Sequence, residues 1–235
     1  MSALRNLQST GEEPGALVSA ISSGVAVLDQ QTPQTFREAQ ESPDASRWMT
    51  AMEKEMKACA DKGVWTLVFR ADLPRGVNIL PCKWVFKIKN NETGAVTDLK
   101  ARITPKGFRQ KEGKDFFEVY ARTGMYKSMR LGLSLAAKWD HELDQLDVPT
   151  AFLNADVDED IYMEIPEGFR DGKEGMVCKL QKALYGLKQS PRNWYLLVSK
   201  FIMDELGFRS SVSDPCLFFR RSDSGRLMIA VPLRG

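Results

Sequence analysis

The chain lacks most of the residues from which metal and redox centres are built. It holds one histidine, His141, and four cysteines, Cys59, Cys82, Cys178 and Cys216, none of them in a CxxC pair. A single imidazole excludes any multi-histidine site. Cysteines this far apart, in apolar surroundings, read as reduced core residues of an intracellular protein, not as a disulfide frame or a zinc site. Excess charge of one sign is missing too, since 33 basic residues face 31 acidic ones. Bulk charge therefore does not announce a nucleic-acid partner, and any basic groove must come from local clustering. No apolar run reaches the length of about eighteen residues that a membrane-spanning helix needs. Residues 15–28 are mildly apolar but follow Glu12-Glu13 and lack a basic start, so no signal peptide is expected. What is present is enough hydrophobic material, 43% of residues, to bury a core in one or two domains.

Residues 1–32 are rich in Ser, Gly, Ala and Gln without a sustained period and read as a flexible leader. Ser42-Pro43 looks like a helix start, with Ser as N-cap and Pro at the first helical position. Ala45, Trp48, Met49, Met52, Met56 and Cys59 then recur at helical spacing as a core stripe that stops at Gly63. Residues 64–69 read as a strand. Cys82, Trp84, Phe86 and Ile88 alternate with Lys83, Val85, Lys87 and Lys89, the pattern of a half-buried strand with a basic outer face. Residues 90–94 turn the chain back through 95–104. Lys100, Arg102, Lys106, Arg109, Lys111 and Lys114 extend the positive cluster. Such a hairpin either lies against phosphates or is a solvated face.

Further on, residues 127–138 read as an amphipathic helix with Met129, Leu131, Leu133, Leu135 and Ala136 partly buried. Asp156 to Asp160 form an acidic run without the glycine and ligand spacing of a calcium loop, and read as a solvated turn. Residues 161–165 and 176–180 look like short strands. Residues 191–206 read as a helix with Gly207 past its end, and 216–219 with 227–231 as a closing hairpin. Between these lies Gln145-Leu146-Asp147-Val148-Pro149-Thr150-Ala151-Phe152-Leu153-Asn154. Alternation from Leu143 suits a strand ending near Asp147. A carboxylate there, followed by a tight turn with free N–H groups, suits a divalent cation and its phosphate ligands; the alternative is an Asp that caps the turn.

Asp147-Val148-x-Thr150-Ala151-Phe152-Leu153-Asn154 is followed by Ile161-Tyr162-Met163-x-x-Pro166-Glu167-Gly168-Phe169. Then comes Leu184-Tyr185-Gly186-Leu187-Lys188-Gln189-Ser190-Pro191-Arg192-x-Trp194-Tyr195. Together these resemble the reverse transcriptase of copia-type (Ty1/copia) LTR retrotransposons. Upstream, Trp48-x-x-Ala51-Met52-x-x-Glu55-Met56, Lys83-Trp84-Val85-Phe86-Lys87-Ile88-Lys89, Lys100-Ala101-Arg102 and Lys106-Gly107-Phe108-x-Gln110 match the same family in the same order. The resemblance runs from residue 33 to 231.

It implies an α/β (α+β) fold of the right-hand polymerase type, with fingers over residues 33–139, a partial palm over 140–235 and no thumb. Asp147 would be the first catalytic carboxylate and a ligand of both magnesium ions, with the Val148 carbonyl joining the second. Turn N–H groups near Thr150 and Ala151 would meet phosphate oxygens. Phe152 would lie under the incoming sugar and favour deoxynucleotides; read without the family it is equally a core ring. Lys100 and Arg102 would grip the triphosphate. Gly186, Gln189, Ser190 and Pro191 would hold the template base and nascent pair, while Tyr185 and Trp194 stand either as stacking platforms or as core. The implied partners are an RNA or DNA template-primer and deoxynucleotides, with no membrane.

The pattern also breaks. In the family a strand like residues 227–231 leads into Tyr-Val-Asp-Asp, which carries two more catalytic aspartates, and here Pro232-Leu233-Arg234-Gly235 stands instead. Pro149 removes one N–H from the phosphate-facing turn. Ala155 stands where the family prefers Gly, and Ala121-Arg122-Thr123-Gly124-Met125 replaces its Ala-Pro-Val segment. The expectation is a truncated fragment without polymerase activity in this form. The alternatives are a nucleic-acid-binding remnant, or a non-functional transposon-derived product that folds poorly.

Overall fold

Thr35 starts the first helix. The structure, a computed structural model, describes residues 32–144, 148–222 and 225–230. The leader expected up to residue 32 and the end of the strand expected at Asp147 thus fall outside the described residues, save Thr32. Helix α1, Phe36–Glu41, was not expected, because so short an element shows no period. Its signal is a reciprocal cap: the Thr35 hydroxyl accepts the Glu38 N–H at 3.2 Å, and the Glu38 carboxylate accepts the Gln34 N–H at 2.8 Å. Helix α2 is Ala45–Asp61 and begins after Asp44. Ser42 is not its cap; the Ser42 hydroxyl donates to the Ala39 carbonyl at 2.9 Å and closes α1 instead. Gly63, at φ +59°, takes the left-handed turn that ends α2.

The strands follow as β1 (Trp65–Phe69), β2 (Ile79–Leu80), β3 (Cys82–Asn90), β4 (Val96–Pro105), β5 (Tyr162–Met163) and β6 (Met176–Leu180). One sheet has the order β1-β6-β5-β2, antiparallel except for the β2–β5 pair. Strand β5 is shorter than the expected 161–165; beyond Met163 only the Glu164 N–H still bonds the neighbouring strand, at the Leu80 carbonyl, before the chain turns at Glu167-Gly168. Strands β3 and β4 form a separate hairpin with the expected alternation. Trp84, Phe86, Leu99, Ala101 and Ile103 face α2, where the Trp48 ring meets Phe86 edge-on at 5.1 Å. Burial of these apolar side chains anchors the hairpin to α2. The Trp84 indole N–H is satisfied by the Glu167 carbonyl at 2.9 Å.

Helix α3 is Tyr126–Lys138. Ser128, Met129, Gly132, Leu135 and Ala136 form its covered stripe, while Leu131 and Leu133 are 55% and 48% exposed. The expected burial of all four alternating positions fails for a geometric reason. Residues two apart on a helix stand about 200° apart, so 129, 131, 133 and 135 cannot share a face. Residues 141–144 have no regular structure and Leu143 is 64% exposed. The strand expected there is absent at its described start, where no described strand pairs with it and supplies a hydrogen-bond ladder. Helix α4, Ser190–Lys200, runs into a π-turn over Phe201–Glu205, and Gly207 follows at φ +70°. Strands β7 (Arg209–Ser210), β8 (Leu217–Ser222) and β9 (Gly225–Ala230) make the expected closing hairpin with one extra short strand. The described chain is therefore a mixed α/β molecule of small sheets and helices.

Two close approaches tie the hairpin to the loop before α4. A Cβ on Gly107 would lie 1.9 Å from the Gly186 carbonyl oxygen. Gly186, at φ +103°, leaves only 2.6 Å for a Cβ against the Pro105 oxygen. Nothing larger than glycine fits either place. Gly107→Ala is expected to lower stability by about 1–3 kcal/mol in urea unfolding. The four thiols are free. Burial pushes Cys59 and Cys178 up to about 12, and Cys82 and Cys216 up to about 11. The folded thiols keep their protons where unfolded ones ionise, so stability should fall as pH rises through the unfolded thiol range toward 11. A disulfide-exchange reagent at pH 8 is expected to label the thiols slowly in the native chain and at once in urea.

Candidate functional site

The outer face of the β3–β4 hairpin carries the clustered cations. Register sets Lys87 opposite Lys100 and Val85 opposite Arg102. Like charges directly opposed on an antiparallel pair destabilise it. The neighbouring Lys89 side chain holds Lys100 below the ordinary lysine range; burial adds to this and Asp98 opposes it. An anion laid on this face would relieve that repulsion. Arg102 is exposed, and its guanidinium lies over the Tyr185 ring with Cζ 4.8 Å from the centroid. The other neighbour of Tyr185 is Phe152, whose ring centre is 4.4 Å away at a tilt of 52°. Three segments distant in sequence thus meet at one half-buried tyrosine.

The turn that carries Phe152 is the 3₁₀ segment Ala151–Asn154, entered through Thr150 in the left-handed region at φ 50°, ψ 44°. Asn154 donates its side-chain amide to the carbonyls of Thr150 and Ala151, at 3.4 and 3.2 Å. Its own carbonyl oxygen accepts the Lys62 ammonium at 2.6 Å. Pro149 and Thr150 stand at the centre of the turn that leads into this segment. Val148 is 46% exposed, and Asp147 lies outside the described residues.

The expected template residues divide by burial. Gly186 is exposed, Pro191 is half-buried at the start of α4, and Gln189 and Ser190 are fully buried. Gln189 is 1% exposed, and its amide donates to the Asp115 carbonyl at 2.8 Å and to the Glu159 carboxylate at 3.1 Å. Its oxygen accepts the Gln110 amide at 2.9 Å, and the Gln110 oxygen accepts the Lys188 N–H at 2.8 Å. Ser190 donates to the Leu184 carbonyl at 2.6 Å. These two side chains shape the loop, while Tyr185, Gly186 and Lys188 are the parts that reach its surface. Trp194 is half-buried on α4.

The structure brings Arg102, Phe152 and the 185–191 loop together, with Lys100 two residues along the same strand face. Three carboxylates of the acidic run are engaged by neighbouring side chains. Asp156 pairs with Lys182 and Asp160 with Lys179, each at 2.7 Å, and Glu159 accepts from Gln189. Magnesium asks for about six oxygen ligands in octahedral array. Among the described residues no cluster of three or more acidic, histidine or cysteine side chains is arranged to hold a metal, so they do not by themselves make a two-ion site. No described helix is long and apolar enough to cross a membrane. The Lys62–Asn154 link and the buried Gln110–Gln189 pair do not follow from the sequence pattern. Asn154, Gln110 and Gln189 stand inside the family motifs, but no spacing rule reveals a side-chain pair 92 or 79 residues apart.

A family model described as reverse transcriptase (RNA-dependent DNA polymerase) matches residues 62–233. The chain is 43% identical over 206 residues to the retrovirus-related Pol polyprotein from transposon TNT 1-94 of Nicotiana tabacum, covering 87% of this chain and 15% of that protein. It is 37% identical over 198 residues to the Pol polyprotein from transposon RE1 of Arabidopsis thaliana, covering 84% of this chain and 13% of that one. The chain therefore spans less than a sixth of the length of these curated relatives. No solved structure matches it. With a family match over most of its length, and relatives from copia-type transposons, the chain belongs to the reverse transcriptase (RNA-dependent DNA polymerase) family of copia-type Pol polyproteins.

Proposed function

We propose that residues 33–139 are the fingers, and residues from 140 onward the first part of the palm, of an RNA-directed DNA polymerase. In this reading the chain binds a deoxynucleoside triphosphate and a template-primer. The observation that carries it is the meeting of Arg102, Phe152 and Tyr185. A guanidinium for phosphate oxygens, a ring for the sugar and the loop assigned to the template base stand within one small patch. Lys100 adds a second cation, and the Thr150 and Ala151 N–H groups face phosphate from the turn. Phe152 excludes a 2′-hydroxyl by its bulk. Gly186, with Gln189, Ser190 and Pro191 shaping the backbone around it, presents the loop to the nascent base pair.

Asp147 and the Val148 carbonyl are this chain's contribution to the magnesium ligands. The metal would activate the primer 3′-hydroxyl and neutralise the leaving pyrophosphate. Of the acidic side chains that follow the turn, Asp156, Asp160 and Glu159 are engaged by Lys182, Lys179 and Gln189, and the described residues hold no acidic cluster that completes the set. The 235-residue polypeptide taken alone thus binds its substrates without joining them. With magnesium, deoxynucleotides and a primed RNA template it is expected to give no extension above background; clear incorporation would contradict the inactive part of this reading.

The opposed lysines on the hairpin favour phosphate-backbone binding on the same face. Binding of a primer-template, followed by anisotropy, should weaken steeply with salt. Replacing Lys87, Lys89 and Lys100 together by Gln should flatten the log–log slope by about one for each phosphate that is no longer neutralised. A slope unchanged by the triple substitution would remove the hairpin from the interface.

A further inference from the structure

We propose that Lys62 and Asn154 are positioning residues, which hold the turn after Asp147 in its nucleotide-facing shape from the end of α2. The inference rests on the reading of that turn as facing the triphosphate. Thr150 is β-branched and sits at φ 50°, where such a residue is strained unless its surroundings over-determine it. Hydrogen bonds supply that constraint. The Asn154 amide draws the Thr150 and Ala151 carbonyls toward itself, the Leu153 N–H donates to the Thr150 carbonyl at 3.0 Å, and the Thr150 hydroxyl donates to the Pro149 carbonyl at 2.7 Å.

Asn154 is in turn fixed by Lys62, through a charge-assisted bond of 2.6 Å. Lys62 does not float. It is the C-cap of α2, with its N–H on the Ala58 carbonyl, and the Val64 carbonyl that follows accepts the N–H groups of Gln181 and Lys182. Helix α2 is also the support on which β4 packs. One lysine therefore links the element under Arg102 to the turn that carries Phe152. Without it the Asn154 side chain loses its anchor outside the turn, and the bonds that hold Thr150 in the left-handed region all come from the turn itself.

The test uses the 235-residue chain and two probes, magnesium-dATP and magnesium-tripolyphosphate, titrated calorimetrically. Asn154→Ala and Lys62→Met should each weaken both probes roughly tenfold, the effect of losing one hydrogen bond to a charged group. Lys62→Arg, which keeps charge and donor, should retain wild-type affinity; a purely structural role for the packed stem would instead be kept by Met. Salt-dependent primer-template binding on the hairpin should be unchanged in all three and reports an intact fold. Lys62→Met keeps the stem and tests the link even if Asn154→Ala does not fold. Wild-type probe affinity in Lys62→Met overturns the proposal and leaves the nucleotide reading intact, as does equal loss in Lys62→Met and Lys62→Arg. If the wild-type chain binds neither probe while still binding primer-template, the reading of the turn fails and this inference fails with it.

Discussion

The site exists because two stretches of backbone come closer than any side chain permits. Gly107 follows the end of the basic hairpin and Gly186 lies in the loop before α4, and neither has room for a Cβ. Their contact brings Arg102, which leaves β4 three residues before Pro105, over the ring of Tyr185. Beside this contact, Gln110 and Gln189 exchange a buried amide bond, and Gln189 is further held by the Asp115 carbonyl. A buried, fully satisfied polar pair is costly to break, because each freed amide would stay desolvated. Close backbone approach and a locked amide pair therefore act in one place, and the geometry of the aromatic and cationic groups follows from them.

Electrostatics points the same way as packing. Lys87, Lys89 and Lys100 crowd one face, and Lys100 responds by holding its proton less tightly. The acidic run from Asp156 to Asp160 does not offset that face, since two of its carboxylates pair with Lys182 and Lys179. Near-neutral overall charge thus hides a strongly basic local surface. A partner with closely spaced phosphates fits it, whether a triphosphate or a nucleic-acid backbone.

Much of this was legible in the sequence, and the failures have physical causes. The hairpin followed from a strict two-residue alternation of apolar and basic residues, and α4 from a Pro at its start and a Gly past its end. Helix α3 showed where pattern reading goes astray: four apolar residues at alternate positions looked partly buried, yet a helical face can hold only some of them. The short α1 escaped because its evidence is a cap, not a period. At the site, motif residues such as Arg102, Phe152 and Gly186 could be named but not placed. Nothing in the order of residues says that Tyr185 stands between Arg102 and Phe152, or that Gln189 points inward. Those are consequences of tertiary contact, as is the Lys62–Asn154 link.

Three distant segments meet around Tyr185, and in the proposed function they form one nucleotide-facing patch. Backbone and aromatic NMR signals of the chain, followed during titration with magnesium-dTTP, test it most directly. Arg102, Phe152, Tyr185 and Gly186 should shift together along a single saturation curve. Shifts confined to one of the three segments, or an unmoved Tyr185 ring at saturating nucleotide, would contradict it.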